Sequence, residues 1–413
     1  MRICWCRNSD CIPFGAGYGE CRACGTLVCL EKLSSDHALV RDDETDFYGK
    51  KYWLQHQCND LELPDIYERS RNDISERCMH WLKTLFKYRL FPAKVLELGC
   101  SHGGFTALLN KSGYDAVGVE MSPWVVDYAQ KTFGIPVFVG PIENLDISRG
   151  SLDVIVLMDV PEHLSDPAAT MAHCLHLLKA DGLLLIQTLQ FRMNMRYDDL
   201  VENGSPFLSQ LTMDEHLYLF SKRSITEFFH RLGADYIAFE SAIFAQYDMF
   251  FAVSRIPVKG NTLEQIDAAL LGHSGGRHIQ ALLDLRAREV ESERKLLGSE
   301  VDRMARGLQV NTLTSMLQDV ELDRAARGEQ IETLTSMLKS AELDRAARGE
   351  QIETLTAILR EVEAERVARG EQIESLVAGL RALFARPVFR RLTGLAGWPE
   401  VNKLAEWVVT PDE

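Results

Sequence analysis

The sequence predicts an α/β fold: a doubly wound, largely parallel sheet, preceded by a small cysteine-rich unit and followed by a long helical rod. Three observations carry that expectation. Six cysteines (Cys4, Cys6, Cys11, Cys21, Cys24, Cys29) fall within the first 29 residues. From Val95 onward, apolar runs of about five residues alternate with longer helix-like windows, the pattern of βαβ units buried on both faces. From about residue 280 the chain is charged, rich in Ala, Leu, Glu and Arg, and free of proline until Pro387.

At 413 residues the chain exceeds one compact core of ordinary size, and two or three units are expected. Its 45 Lys and Arg against 60 Asp and Glu leave a net charge of -15, which argues against a protein that coats nucleic-acid phosphates. No run is long and apolar enough to cross a bilayer, and MRICWCRNSD contains no apolar stretch of signal-peptide length. A cytoplasmic, reducing environment is therefore expected, and clustered thiols in such a place point to metal rather than disulfides.

Residues 1–35 form the cysteine-rich unit. Cys21-x-x-Cys24-Gly is a knuckle, and Cys4-x-Cys6 can supply the other half of a structural tetrahedral zinc site, with Cys11 or Cys29 as substitutes because the first pair is one residue short of the commoner spacing. Residues 36–90 read as a helical lead-in, with ISERCMHWLKTLFKYRLF carrying apolar residues at intervals of three and four until Pro92 stops it. Residues 91–256 hold the sheet, whose strands are KVLELG, DAVGVEM, IPVFVG, LDVIVLMD, GLLLIQT and DMFFAV.

Residues 257–290 are a linker, and 291–383 a coiled coil. Its segments DRMARGLQVNTLTSMLQDVEL, DRAARGEQIETLTSMLKSAEL, DRAARGEQIETLTAILREVEA and ERVARGEQIESLVAGLRALFA begin 21 residues apart, a spacing of three heptads that keeps one face in register. The seam runs Ile331, Leu334, Leu338, Ala341, is interrupted by Arg345 and Arg348, and resumes at Ile352 and Leu355. Each repeat also holds a glycine (Gly307, Gly328, Gly349, Gly370), which costs about 1 kcal/mol relative to alanine in a helix. At roughly 1.5 Å per residue such a rod extends on the order of 130 Å. A homo-oligomer is expected, with a solvated single helix as the alternative. Residues 384–413 form a basic and apolar tail, in which Arg386, Arg390 and Arg391 alternate with Val388, Phe389, Leu392 and Leu395, a composition suited to an anionic membrane surface or a partner.

The chemistry concentrates in VLELGCSHGGFTALL, where a strand runs into a glycine-rich loop and a helix opens at about Phe105. Glycine lets the backbone turn sharply and approach a ligand, and the helix N-terminus offers free N–H groups. Gly99-Cys100-Ser101-His102-Gly103 spells the GxSxG of a nucleophile elbow, but such an elbow lies deeper in a sheet. A dinucleotide fingerprint would need glycine where Ser101 stands. The remaining pattern is Glu97-x-Gly99-x-x-x-Gly103, with Glu120 ending the second strand, where an acid can accept both hydroxyls of a ribose.

These segments resemble the class I S-adenosylmethionine-dependent methyltransferases, which share a Rossmann-like sheet. ELGCSHGG is similar to their first motif, GVEMS to the second, VGPIENL to the third-strand segment, LDVIVLMDVPEHLSDP to the fourth and LLKADGLLLIQT to the fifth strand with its preceding turn, while EHLYLFSKRSITEFFHRLGAD is similar to a late segment of members acting on sugars. The resemblance implies that Glu97 and Gly99 face the methionine part of the cofactor, Glu120 the ribose, and Ile142 and Glu143 the adenine, with Ser101, Gly103 and Met121 also cofactor-binding. It places Asp159 beside the reactive sulfonium. The departure is Ser101, where most members carry glycine. His163 and His216 are candidates to take a proton from the acceptor, with Tyr218 assisting. A zinc knuckle, a segment like FYGKKYW and then the methyltransferase unit also resemble bacterial sugar and surface-glycan methyltransferases, which implies a sugar or glycan-precursor acceptor, no nucleic acid, and a rod or tail that brings the enzyme to a membrane-associated partner. The rival expectation is a methyltransferase-like scaffold without activity.

Overall fold

A computed structural model describes residues 2–31, 37–61, 63–388 and 399–409. The chain divides into two units, Met1–Gly298 and Ser299–Glu413.

The first unit is organised by β1 (Cys11–Gly15), β2 (Tyr18–Cys21), β3 (Leu27–Cys29), β4 (Lys94–Leu98), β5 (Asp115–Glu120), β6 (Val137–Val139), β7 (Leu152–Met158), β8 (Leu178–Leu189), β9 (Tyr218–Leu219), β10 (Tyr236–Glu240) and β11 (Asp248–Ser254). Seven of them form a sheet in the order β10-β11-β8-β7-β4-β5-β6, in which β4 to β8 run parallel. Their near-continuous apolar sequences follow from burial on both faces. Leu96, Ile155, Leu157, Leu184 and Ile186 enter one core, and the alternate residues Val95, Val154, Val156, Leu183 and Leu185 enter the other. The strand order reverses between β4 and β7, and the crevice beyond the carboxyl ends of these strands is where open α/β sheets take ligands.

A parallel continuation through DMFFAV is not what forms. β11 runs antiparallel to β8, and β10, a strand the apolar pattern did not reveal, returns antiparallel to β11. The reason lies in YIAFE itself. As an edge strand it leaves Tyr236 and Phe239 exposed, so it lacks the closed apolar run of a central strand.

The lead-in is helical at α1 (Ile66–Asp73) and α2 (Met79–Tyr88), joined by a π-helical turn at Ile74–Cys78. Asp65 caps the first by accepting from the Glu68 N–H. The second buries Trp81, Leu82, Leu85 and Phe86 against the sheet face that carries Val95 and Leu183. At the chain start, β1, β2 and β3 form a small antiparallel sheet whose fourth strand is β9, near residue 218.

The helical element Gly276–Ala385 runs into the second unit, where all four repeats are helical and the apolar seam residues are exposed. A shorter helix covers Pro399–Val409. Residues 389–398 and 410–413 lie outside the described residues, and with them the expectations placed on Phe389, Arg390, Arg391, Leu392 and Leu395. No helix among the described residues is long and apolar enough to cross a membrane.

Leu184 is fully buried on the central strand β8. Leu184→Ala is expected to lower the unfolding free energy of the first unit by about 2–5 kcal/mol, read as a shift of the urea midpoint.

Candidate cofactor crevice and thiol cluster

The loop after β4 turns on three left-handed residues: Gly99 at φ 71°, Ser101 at φ 50° and Gly103 at φ 82°. Gly99 is required by closeness as well, because a Cβ there would stand 2.6 Å from a methyl of Val160. The N–H groups of Gly99 and Cys100 both donate to the carbonyl of Val119, at 2.8 and 3.0 Å, which lashes the turn to β5. Helix α3 (Gly104–Lys111) starts immediately after.

Glu120 ends β5 against this turn. One carboxylate oxygen accepts from the Ser101 N–H at 3.0 Å, and the other from the Met121 N–H at 2.7 Å and the Ser122 N–H at 3.3 Å. Burial pushes the Glu120 carboxyl above its ordinary range, and the three N–H donors oppose that rise. The Ser101 hydroxyl is buried without a hydrogen-bond partner, so it lacks the histidine that a nucleophile elbow requires. Met121 lies beside Gly140, Ile142 is buried, and the exposed Glu143 accepts from Thr170 Oγ1 at 2.7 Å. Glu97 points into the interior, where Thr106 donates to it, and burial raises its carboxyl to about 8.

Behind the turn lies a polar chain for which the sequence offered no motif. The Gly104 N–H donates to His102 Nδ1 at 3.0 Å, so the imidazole proton sits on Nε2 and is given to Asp73, also at 3.0 Å. Burial lowers the His102 pKa and keeps the ring neutral. For Asp73 burial pulls upward, but the His102 hydrogen bond and the guanidinium groups of Arg69 and Arg77 outweigh it and hold the carboxyl below its ordinary value. Arg77 continues to Asp159 at 3.3 Å, Asp159 accepts from Gln187 Nε2 at 2.9 Å, and Gln187 accepts from Trp81 Nε1 at 2.9 Å. Asp159 itself sits at φ 60° at the end of β7. Burial, with the charge of Asp159 added to it, pushes Asp248 up to about 9 and Glu162 up to about 8.

The segment 41–60 supplies further groups at the same ends of the strands. The Asp43 carboxylate accepts from Ser122 Oγ at 2.6 Å and from the Trp124 N–H at 2.8 Å. Tyr52 donates to Glu215 at 3.0 Å, and His56 Nε2 meets the other Glu215 oxygen at 2.8 Å. Desolvation pulls the His56 pKa down, but Glu215 and Asp60 raise it overall, and both ring nitrogens face carboxylate oxygens. Sequence spacing singles out none of these partners, although Tyr52 lies in FYGKKYW and Glu215 in EHLYLF.

His163 and His216 are brought together, with ring centroids 4.9 Å apart. His163 Nδ1 is 2.9 Å from both the Glu215 carbonyl and the Tyr48 hydroxyl, and His216 Nδ1 is 2.8 Å from the Gln210 carbonyl and 2.9 Å from Thr212 Oγ1. A carbonyl can only accept, so in the neutral rings both Nδ1 atoms carry the proton and both Nε2 atoms keep a free lone pair. Burial, together with the neighbouring His216, pushes the His163 pKa down to about 3. Tyr218 is occupied elsewhere: its hydroxyl donates to the carbonyl of Ile3 at 3.2 Å.

The thiols of Cys4, Cys6, Cys21 and Cys24 all lie within 4.8 Å of one another, with Cys4–Cys24 and Cys6–Cys21 at 3.5 Å. A zinc–sulfur bond of about 2.3 Å puts tetrahedral sulfurs about 3.8 Å apart, so this donor set fits a tetrahedral dication and leaves no open coordination position. Cys29 stands apart, its thiol directed at the Met213 carbonyl, and Cys11 is not in the cluster. Asn8 Nδ2 approaches Cys21 Sγ at 3.5 Å, and Trp5 donates to Thr26 Oγ1, which contacts Cys24 Sγ at 3.2 Å.

Sheet order, left-handed turn and strand-end carboxylate together define the class I S-adenosylmethionine-dependent methyltransferase fold. Residues 68–238 match the family described as "Methyltransferase domain". Among curated relatives, the ubiquinone biosynthesis O-methyltransferase of Methylococcus capsulatus is 32% identical over 102 residues, covering 23% of this chain and 43% of that protein. The protein of the same name from Actinobacillus pleuropneumoniae is 30% identical over 110 residues, covering 24% and 47%. The chain thus spans less than half the length of these relatives. Among solved structures, a SAM-dependent methyltransferase from Thermotoga maritima matches with TM-score 0.36 and 17% identity, covering 46% of this chain and 96% of that one. One from Aquifex aeolicus matches with TM-score 0.35 and 12% identity, covering 46% and 97%.

Two outcomes follow from the geometry. Ser101→Gly removes a left-handed serine and is expected to stabilise the ligand-free protein by about 1 kcal/mol in thermal denaturation. His163 is neutral when folded down to about 3 but titrates near 6.5 when unfolded, so the unfolded chain takes up the extra proton and its contribution to stability, full above pH 6.5, declines as pH falls toward 3. Urea unfolding of His163→Gln between pH 7 and 5 should accordingly show a shallower acid-side loss.

Proposed function

We propose that the protein transfers a methyl group from S-adenosylmethionine to a small polar acceptor, a sugar or glycan precursor. The observation that carries the reading is the Glu120 carboxylate at 3.0 Å from the Ser101 N–H, at the lip of the left-handed turn. A ribose diol has the donors that this carboxylate takes in the ligand-free chain from main-chain N–H groups. Ile142 supplies an apolar wall for adenine beside Glu143, Met121 packs next to it, and Gly99, Gly103 and the partnerless Ser101 hydroxyl line the turn with Glu97 behind it. The cofactor supplies an electrophilic methyl on a sulfonium, and in-line displacement needs chiefly orientation. Asp159, fixed between Arg77 and Gln187, presents negative charge at the end of β7. In this reading the Nε2 lone pairs of His163 and His216 take the acceptor's proton, the His163 ring being anchored by the Tyr48 hydroxyl and the Glu215 carbonyl and the His216 ring by Gln210 and Thr212.

Zinc held by Cys4, Cys6, Cys21 and Cys24 is structural in this reading, tying the chain start to the fold. The repeats join copies of the chain through the exposed seam as a homo-oligomer, and the basic tail contacts a membrane-associated partner. The acceptor preference rests on the late segment 215–235 and its resemblance to sugar-modifying enzymes, whereas the curated relatives are named for ubiquinone biosynthesis.

Titration calorimetry on the full chain should give micromolar affinity for S-adenosylmethionine, weakened about 100-fold or more in Glu120→Ala, which removes two charge-assisted hydrogen bonds. A folded protein that binds no cofactor would instead be a scaffold. Transfer from labelled cofactor should then label nucleotide sugars and not catechols; labelling of catechols alone overturns the sugar assignment. Elemental analysis should find one zinc per chain, lost in Cys24→Ser.

A further inference from the structure

Each 21-residue repeat of the long helix contains the same cassette: an acid, any residue, an acid, then Arg-x-x-Arg-Gly. The four copies are Glu300-Val301-Asp302-Arg303 with Arg306 and Gly307, Glu321-Leu322-Asp323-Arg324 with Arg327 and Gly328, Glu342-Leu343-Asp344-Arg345 with Arg348 and Gly349, and Glu363-Ala364-Glu365-Arg366 with Arg369 and Gly370. Heptad positions, written a to g, follow from the seam. Ile331, Leu338 and Ile352 take a, Leu334, Ala341 and Leu355 take d, and both arginines of every cassette fall on a and d. The two acids fall on e and g, the positions that flank a seam. Elsewhere in the three repeats from Asp323 onward, the g positions hold Gln330, Met337, Gln351, Ile358, Gln372 and Gly379, with no acid.

Within one chain the cassettes are paired in part, and in the fourth the a arginine is paired as well, Arg366 with Glu363 at 3.0 Å. Arg327 pairs with Asp323 at 2.7 Å, Arg348 with Asp344 at 3.3 Å and Arg369 with Glu365 at 3.2 Å, so the d arginine leans back on its own g acid. The seam hydrophobics stay exposed, Leu334 and Ile352 at 64% each. The recurring glycine has no role inside its own helix either. A Cβ at Gly307, Gly328, Gly349 or Gly370 would meet nothing within 4 Å, and glycine weakens a helix relative to alanine.

A second copy accounts for all three features. In a parallel pair in register, the hole that receives Arg345 is made by residues 341, 344, 345 and 348 of the facing helix, and therefore contains an aspartate. The hole that receives Arg348 is made by residues 345, 348, 349 and 352, and therefore contains the glycine, which leaves a gap through which a long side chain reaches solvent. A slip of seven residues faces Arg345 with Ile352 and Gln351 instead, and a slip of fourteen with Leu359 and Ile358. Either slip sets guanidinium groups against hydrocarbon with no acid from the facing helix beside them. The apolar heptads by themselves would tolerate both.

We propose that the Arg-x-x-Arg-Gly cassettes lock copies of this chain into one parallel, in-register coiled coil by excluding slips of one and two heptads. The inference rests on the self-association proposed above and goes beyond it in assigning orientation and register. The full chain carrying Leu334→Cys is mixed with the full chain carrying Ala341→Cys, oxidised, and its disulfide-linked peptides are identified by mass spectrometry, with sedimentation velocity on the same sample. The expected result is an oligomer in which 334–334 and 341–341 links exceed 334–341 links by at least ~10-fold, and in which Arg324→Leu, Arg327→Leu, Arg345→Leu and Arg348→Leu together raise the 334–341 link to comparable yield. An assembled chain that lacks the 334–334 link, or forms 334–341 links equally well with its arginines intact, overturns the register lock alone. A monomer in sedimentation overturns the self-association beneath it.

Discussion

A single carboxylate holds the turn on which the crevice depends. Glu120 ends its strand among three N–H donors, one of them the amide of a serine that has been forced into left-handed backbone. Non-glycine residues avoid that conformation unless their surroundings over-determine it, and here the surroundings do. The double grip of Val119 on the two preceding amides, the methyl of Val160 against Gly99 and the charge of Glu120 leave the loop one shape. The cradle is thus built by the ends of β4 and β5 rather than by the loop's own preferences.

The same logic extends outward through groups that are buried yet polar. His102 turns one nitrogen to a helix N-terminus and the other to Asp73, and from there Arg77 and Asp159 carry the network to Gln187 on β8 and back to Trp81 of α2. Helix, lead-in and sheet are consequently fixed relative to one another by directional bonds as well as by packing, which suits a reaction controlled by orientation. Two further imidazoles, His163 and His216, lie against each other, each anchored through Nδ1.

Much of this was legible in the residues. The five parallel strands announce themselves as apolar runs because both faces are covered, and the Glu97, Gly99, Gly103 and Glu120 spacing carries its own chemistry. Two short spacings point to Cys4, Cys6, Cys21 and Cys24 with Cys11 or Cys29 as substitutes, and the fold gathers the first four. What stayed hidden was non-local or atypical. β10 is an exposed edge, β9 is two residues long, Asp73 and Arg77 belong to no motif, and Tyr48 and Glu215 lie in quoted segments whose partners are far away in the chain. Spacing reveals groups that act on one ligand from neighbouring loops, and it is silent about partners that folding brings in from a distance.

The small N-terminal sheet is finished by a strand from the far side of the methyltransferase region, with Leu27 paired to Leu219. During synthesis its first three strands and its four thiols leave the ribosome long before that partner exists, an interval on the order of 10–40 s at roughly 5–20 residues per second. Until then the outer edge of β3 is open and Cys29 has no carbonyl of Met213 to face. Closure of this sheet therefore comes late, and it fastens the beginning of the chain to a fold whose parallel core strands have by then all been made.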